Sequence, residues 1–213
     1  MNSGKYVVGS IVAGIVLIAG LAALKNGQRA AQWSDEPLIL YCAAGMKNPV
    51  AAVVKQYADE YGVAVQVNYG GSGTLLSNLR VAQTGDLYLA ADETYIEKAR
   101  ELNLVDESIP LAWIEPVIAV PRGNPKKIGS LADLLREDVQ VALANPDAAA
   151  VGLATRLVLE NMGMWEAISG RVKVFKPTVN DIANDLKIGS VDAGVVWDAV
   201  AAQYPELDFI RSP

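Results

Sequence analysis

The sequence predicts an α/β fold of two lobes, each a mostly parallel sheet flanked by helices. Apolar runs of strand length alternate with helical patterns along most of the 213 residues. This alternation stops once, in the turn-rich segment Pro121-Arg122-Gly123-Asn124-Pro125, and then resumes. Strands that alternate with helices favour parallel sheets, and two such series favour two lobes. A hydrophobic content of 52% can supply a core for both.

The composition excludes several kinds of function. Histidine is absent and Cys42 is the single cysteine, so we expect no His/Cys metal site, no intrachain disulfide and no histidine-based triad. Lys5, Lys25 and Arg29 are the only charges before Trp33, and the remainder carries 15 basic against 24 acidic residues. This acidic balance argues against a nucleic-acid partner. A small anion stays possible, because oriented N–H groups and hydroxyls hold anions without a positive charge.

An apolar segment stands near the N-terminus. Tyr6–Leu24 runs for 19 residues without a charge, close to the length that spans a bilayer. The apolar part of a secretory signal is usually shorter, about 7 to 15 residues, and no A-x-A cleavage site follows at the expected distance. We therefore favour an uncleaved membrane anchor over a removed signal peptide. Either alternative places the rest of the protein outside the cytoplasm, in the periplasm or anchored to the inner membrane, with residues 1–36 as anchor or signal plus linker.

The first lobe is expected over residues 37–115. Strands are predicted at 38–42, 63–67 and 87–90, and helices from Pro49, at about 75–83 and at 93–102. Asp92 is expected to cap the last of these helices rather than to bind a metal. Apolar residues at helical spacing predict the buried face of the first helix: Val50, Val53, Val54, Tyr57 and Tyr61.

The second lobe is expected over residues 116–213. Its first predicted strand, at 114–120, is bent at Pro116. Further strands are predicted at 139–144, 172–175, 193–197 and 207–210. Helices are predicted at 131–135, with Ser130 as cap, and at 152–162, 179–188 and 198–203. In open α/β sheets ligands bind beyond the carboxyl ends of the strands. The loops that should face one cleft therefore follow Cys42, Val67, Ala144, Phe175 and Val196.

A glycine-rich loop, Tyr69-Gly70-Gly71-Ser72-Gly73-Thr74, lies between a predicted strand and a predicted helix. The first N–H groups of a helix lack intrahelical acceptors, so this position favours an anion. Ser72 and Thr74 add hydroxyl donors. A plain turn in which Ser72 or Thr74 caps the helix explains the loop equally well. The loop matches neither the phosphate-binding P-loop nor the dinucleotide-binding pattern.

Several longer segments carry a resemblance to a known family. They are YCAAGMKNP, YGGSGTLLSNL, GDLYLAADETYIEKA, ALANPDAAAVGLA, LENMGMWEAISGRV and GSVDAGVVWDAV, in one order between Leu38 and Ile210. Together they resemble the periplasmic molybdate/tungstate-binding proteins of ABC transporters, within the type II periplasmic solute-binding superfamily. The resemblance implies an oxyanion held between the lobes by neutral donors. Members return to the first lobe after the second, so the resemblance also implies that this chain, which ends at Pro213, lacks that return segment.

Carried over residue by residue, the resemblance implies a set of ligand contacts. The contacts fall on Gly45, Ser72, Val151, Val179 and Trp197, with Gly71, Gly73 and Thr74 in the supporting loop. Val151 and Val179 could contact a ligand only through their N–H groups. A tryptophan that ends a buried strand, as Trp197 does, is more often a core residue than a ligand contact. The family commonly has a serine in place of Gly45 and a tyrosine in place of Trp197, so the choice of anion stays open.

The expected function is an extracytoplasmic solute-binding protein that captures a tetrahedral oxyanion, molybdate or tungstate, for an ABC permease. We expect no cofactor, no protein-bound metal other than that of the oxyanion, no nucleic acid and a monomer. Two alternatives are a carrier for sulfate, phosphate or an organic anion, and the ligand-sensing domain of a membrane-anchored protein. An enzyme with Ser72 as nucleophile is disfavoured, because no histidine, adjacent base or G-x-S-x-G elbow accompanies it.

Overall fold

The computed structural model describes residues 36–211. The apolar segment 6–24, predicted to be an anchor or signal, lies outside the described residues. Within residues 36–211 no helix is long and apolar enough to cross a membrane. From Pro37 onward the chain forms one compact unit, and this unit contains two sheets. The predicted domain boundaries at 36/37 and 115/116 stay predictions.

The first sheet, with the helices that follow its strands, is called the first lobe. Its three strands are parallel in the order β2-β1-β3, as the alternation of strands and helices predicted. The strands are β1 (Leu38–Ala43), β2 (Val65–Gly70) and β3 (Leu87–Leu89). The helices are a 3₁₀ turn (Ala44–Met46), α1 (Lys47–Tyr61), α2 (Ser72–Ala82) and α3 (Glu93–Glu101).

The second sheet and its helices form the second lobe, with strand order β5-β6-β4-β7. Its strands are β4 (Pro116–Pro121), β5 (Val141–Ala142), β6 (Ala193–Trp197) and β7 (Leu207–Ile210). Its helices are a 3₁₀ helix (Leu131–Leu135), α4 (Ala150–Asn161), α5 (Trp165–Ser169), α6 (Val179–Lys187) and α7 (Asp198–Ala201). Helices accompany both sheets, so the predicted α/β class is confirmed.

The prediction of a mostly parallel second sheet is wrong for its hydrogen-bonded pairs. β5 pairs with β6 in parallel, but β4 is antiparallel to both β6 and β7. Three strands therefore share one direction and β4 alone opposes them. A parallel neighbour requires a crossover that returns the chain in the same direction. β4 instead brings the chain in from the first lobe, and it begins at Pro116 rather than two residues earlier.

The strand predicted at 172–175 does not form. A single parallel bridge joins Ala144 to Lys176, where the Lys176 N–H donates to the Leu143 carbonyl at 2.9 Å. Val174, within the predicted strand, is 67% exposed. The two-residue strand β5 offers too little edge here for a longer ladder.

The predicted buried face of α1 is also wrong. No residue of α1 is buried, and Val53 is 64% exposed. Tyr57 and Tyr61 pack against each other, with ring centroids 4.8 Å apart. The apolar spacing predicted the helix correctly, but burial of that face depends on an element opposite it.

The main core lies in the second lobe and extends into the first. Its centre is the run from Val117 to Val120 in β4, which is almost fully buried. Ile182 and Leu186 of α6 pack in the same cluster, and Tyr95 from the first lobe joins it. A strand covered on both faces reads as continuously apolar rather than alternating. The core therefore links the two sheets.

Two predicted helix caps are present. The Asp92 carboxylate accepts a hydrogen bond from the Thr94 N–H at 2.9 Å, which confirms it as the cap of α3. Ser130 precedes the 3₁₀ helix as expected. Beside it the Asp133 carboxylate accepts hydrogen bonds from the N–H groups of Gly129 and Ser130, and these bonds hold the pKa of Asp133 below its ordinary value.

We expect Gly194→Ala to destabilise the protein by about 1 to 3 kcal/mol, because overpacking a filled core forces side chains off their rotamers. A Cβ at Gly194 would lie 2.4 Å from Ile182 Cγ2 and 3.0 Å from the Ala142 carbonyl oxygen. Gly129→Ala is the control, since its nearest neighbour would be 3.9 Å away, and it should change stability by less than about 0.5 kcal/mol. Urea denaturation measures both, and equal effects would contradict the packing.

We expect the Cys42 thiol to react with a disulfide reagent at pH 8 roughly 100-fold more slowly in the native protein than in urea. Cys42 is 0% exposed, and burial raises its pKa from 9.0 to about 12. Because folding favours the protonated thiol, the stability that it adds is full below pH 9.0 and is lost as the pH rises toward 12. Rapid native labelling would show that β1 opens readily.

Candidate functional site

A cavity of about 10 Å³ lies between the two lobes. It brings together all five residues that the resemblance implied as contacts, namely Gly45, Ser72, Val151, Val179 and Trp197. None of the described residues that line it carries a charge, and hydroxyl side chains come from Ser72 and Thr178. That the five residues hold a ligand stays a prediction.

Three helices begin at the wall of this cavity. Ser72 is the first residue of α2, Ala150 and Val151 are the first two of α4, and Val179 is the first of α6. N–H groups in a first helical turn lack intrahelical acceptors, and the helix dipole places its positive end there. Three such ends at one small cavity suit a negatively charged group. α2 follows β2, α4 follows the loop after β5, and α6 follows Lys176, which forms an isolated parallel bridge with Ala144.

Ser72 is held firmly at the wall. It is 1% exposed, and its Oγ accepts a hydrogen bond from the Ala91 N–H at 3.2 Å. Its carbonyl accepts a hydrogen bond from the Tyr88 hydroxyl at 2.8 Å. With the oxygen used as an acceptor, the hydroxyl proton can point to a ligand. The alternative of Ser72 or Thr74 as helix cap is wrong, because Gly71 is the N-cap and no side chain caps α2.

Gly70 and Gly71 of the glycine-rich loop also line the cavity, whereas Gly73 and Thr74 contact the second lobe. The N–H groups of Gly73 and Thr74 donate to the Ala148 carbonyl of the second lobe, at 2.9 and 3.2 Å. A Cβ at Gly71 would lie 2.3 Å from that oxygen, and one at Gly73 would lie 2.1 Å from the Asp147 oxygen. Glycine is needed at both positions for this close backbone approach. The approaching group in this structure is the other lobe.

The wall around Gly45 is apolar. A Cβ at Gly45 would lie 2.8 Å from Val200 Cγ2 and 3.2 Å from Val179 Cγ1. A serine at this position would therefore clash with Val200. Trp197 is buried at the end of β6, and its Cδ1 lies 4.0 Å from the same point. This side of the cavity consequently has hydrocarbon where the resembling family commonly has hydroxyl groups.

Sequence reasoning missed Thr178. Its Oγ donates to the Asp181 carboxylate at 2.6 Å, and the Asp181 N–H donates back to Oγ at 3.3 Å. The Thr178 N–H also donates to that carboxylate, at 3.0 Å. This capping box fixes the start of α6 at the cavity. The T-x-x-D spacing at 178–181 could have revealed it.

The next question is whether side chains in the described part of the chain could hold a metal ion. In the part of the chain that the structure describes, no group of three or more Asp, Glu, Cys or His side chains could hold a metal ion. Among the described residues, none that forms an ion pair lines the cavity, and Lys176 with Asp185 at 2.5 Å is one such pair. The arrangement therefore offers backbone donors and hydroxyls, and no charged side chain, to whatever enters.

Several curated proteins are similar in sequence to most of this chain. A binding protein of Haemophilus influenzae is 32% identical over 159 residues, covering 75% of this chain and 65% of that protein. The molybdate-binding protein ModA of Mycobacterium tuberculosis is 27% identical over 190 residues, covering 85% and 70%. ModA of Escherichia coli is 24% identical over 200 residues, covering 88% and 76%. The chain thus spans about two thirds of the length of the first two.

Solved structures show the same fold at low identity. The periplasmic molybdate-binding protein of Azotobacter vinelandii superposes with a TM-score of 0.62 at 21% identity, over 82% of this chain and 77% of that one. The sulfate-binding protein SubI of Mycobacterium tuberculosis superposes with a TM-score of 0.69 at 20% identity, over 83% and 71%.

A family match covers nearly all of the described residues. Residues 38–213 match the family of bacterial extracellular solute-binding proteins, whose members bind solutes and are not enzymes. Two lobes that meet around a small cavity, with three helix N-termini at its wall, agree with that match. This chain therefore belongs to the bacterial extracellular solute-binding protein family.

Proposed function

We propose that this chain captures a tetrahedral oxyanion, molybdate or tungstate, between its lobes and delivers it to an ABC-transporter permease. The observation that carries the proposal is the meeting of the N-termini of α2, α4 and α6 at one cavity. α4 and α6 contribute N–H groups of their first turns, and α2 contributes that of Ser72, because the N–H groups of Gly73 and Thr74 already donate to the Ala148 carbonyl. All three helices contribute the positive end of a dipole. An oxyanion supplies acceptor oxygens in several directions, as this arrangement requires.

Neutral donors explain how an acidic protein binds an anion. The cavity wall has no charged side chain among the described residues, so no buried positive charge has to be desolvated when the site is empty. Donors at Ser72, Val151 and Val179 are held by helices and do not reorganise on binding. Fixed donors in a closed space discriminate anions by size and by the number of oxygens that they can pair.

Closure of the lobes is part of the mechanism. The proposed donors belong to both lobes, since Ser72 lies in the first lobe and Val151 and Val179 lie in the second. Contacts from both lobes to the anion then favour the closed arrangement. We propose that the permease recognises this closed form.

The names of relatives support molybdate, while one wall of the cavity supports a second candidate. Two of the relatives above are molybdate-binding proteins. Gly45, against which Val200 packs, and Trp197 supply no hydroxyl where molybdate-binding proteins commonly have one, so the second candidate is sulfate, phosphate or a small organic anion. Calorimetric titration of the full chain with molybdate, tungstate, sulfate and phosphate decides between them. Tight binding of the first two alone supports the first candidate, and silence with all four contradicts oxyanion binding.

We further propose that residues 6–24 anchor the protein to the inner membrane, with residues 37–213 outside the cytoplasm. The family name places its members outside the cell. Fractionation after alkaline washing tests the anchor, because an integral segment stays in the membrane pellet and a cleaved signal does not.

We expect Ser72→Ala to raise the Kd for the oxyanion by roughly 10-fold or more, because a hydrogen bond to a charged group contributes about 1.5 to 3 kcal/mol. Ser77→Ala on the same helix is the control. Ser77 Oγ donates to the Gly73 carbonyl, and Ser77 does not line the cavity. Calorimetry with both variants measures the effect, and an unchanged Kd for Ser72→Ala would remove Ser72 from the site.

We expect Val179→Pro to raise the Kd roughly 10-fold while α6 stays intact, because proline at the first helical position removes only one N–H group. The preceding residue, Thr178, has φ −136° and ψ 160°, a conformation that proline permits before it. Val179→Ala is the control that retains the N–H. If Val179→Ala weakens binding as much as Val179→Pro does, with unchanged circular dichroism, the N–H has no role.

A further inference from the structure

We propose that Tyr95 and Gln203 are positioning residues that set the strength of anion binding by holding the lobes together on two sides of the cavity. The inference rests on the proposed function for the nature of the ligand, an anion. The contacts themselves are present without any ligand. Neither residue is among those that line the cavity. Each joins a side chain of one lobe to a backbone carbonyl of the other.

The first contact lies beside the glycine-rich loop. Tyr95 of α3 is 2% exposed, and its hydroxyl donates to the Pro146 carbonyl at 3.1 Å. Two residues further on, the Ala148 carbonyl accepts hydrogen bonds from the N–H groups of Gly73 and Thr74. This second-lobe segment leads directly into α4, whose first residues line the cavity. Tyr95 therefore fixes the loop that positions the N–H groups of α4.

The second contact lies on the side of the 3₁₀ turn. Gln203 follows α7, and its Nε2 donates to the Gly45 carbonyl at 3.1 Å and to the Ala199 carbonyl at 2.9 Å. Its Oε1 accepts a hydrogen bond from Asn48 Nδ2 at 2.9 Å. The Gln203 side-chain amide thus bonds the first lobe both as a donor and as an acceptor, and its Nε2 also bonds the Ala199 carbonyl of α7. The Gly45 backbone beneath it packs against Val200.

These contacts act on affinity through closure. They exist only when the lobes are together, so they raise the fraction of the protein in the binding-competent form, and the apparent Kd falls in proportion. Because neither side chain touches the ligand, their loss weakens the binding of every anion by one common factor. A residue that touches the ligand, such as Ser72, changes the ratio between anions. Faster dissociation, with little change in association, is the kinetic consequence.

Tyr95→Phe and Gln203→Met test the proposal, since each removes hydrogen bonds while retaining most of the side-chain volume. We expect each variant to raise the Kd roughly 3- to 10-fold, by the same factor for molybdate and for sulfate, with a matching rise in the dissociation rate. The matched controls are Tyr61→Phe and Gln56→Met, both exposed on α1, and they should change the Kd less than about 2-fold. Calorimetry and stopped-flow tryptophan fluorescence give these values.

A second measurement needs no ligand. Hydrogen exchange of the Gly73 and Thr74 amides reports the bonds to Ala148, and Tyr95→Phe should accelerate it several-fold. Exchange in β6 should stay unchanged, which separates opening of the lobes from global unfolding.

The outcomes separate the two proposals. Factors that differ between anions, or unchanged Kd and exchange rates in the variants, overturn the positioning role. If the wild-type chain binds none of the four anions, the proposed function fails. The exchange rates then decide whether Tyr95 holds the lobes together.

Discussion

The close approach of two backbones at Gly71 and Gly73 is the constraint on which the cavity depends. A side chain at either position would place a carbon within 2.3 Å of a carbonyl oxygen of the second lobe, so the lobes could not meet as they do. The approach lets Gly73 and Thr74 pair with Ala148. It also brings the start of α2 opposite the starts of α4 and α6. The electrostatic character of the cavity follows from this contact, because the helix ends reinforce each other only when they are adjacent.

No charged side chain among the described residues lines this cavity. Ion pairs such as Lys187 with Glu206, at 2.8 Å, are partly exposed and contribute little to stability. The cavity wall instead presents N–H groups, the Ser72 hydroxyl and hydrocarbon. An ionised side chain there would have to remain desolvated whenever the cavity was empty. A site of neutral, rigidly held donors avoids that penalty, and it suits a chain with an overall acidic balance.

The wall around Gly45 shows how one missing side chain is compensated by others. Val200 and Val179 occupy the space that a side chain at residue 45 would need, and Gln203 binds the Gly45 carbonyl. Gly45, Val200 and Trp197 are therefore coupled by packing, so a change at one of them alters the space available to the others. This group of residues forms the apolar side of the site. It is also the part of the site in which the chain departs most from the family that it resembles.

Sequence alone determined most of the order of elements and five of the residues at the cavity wall. Alternating periods located β1, α2, β6 and β7, and residue-by-residue resemblance named Gly45, Ser72, Val151, Val179 and Trp197, which share one cavity. Local patterns succeed here because strand and helix periods are properties of neighbouring residues. Tertiary structure alone decided the antiparallel placement of β4, the exposure of Val53 on α1 and the pairing of Gly73 and Thr74 with Ala148. Each of these depends on a segment distant in the chain, and a local pattern carries no information about which distant group lies opposite it.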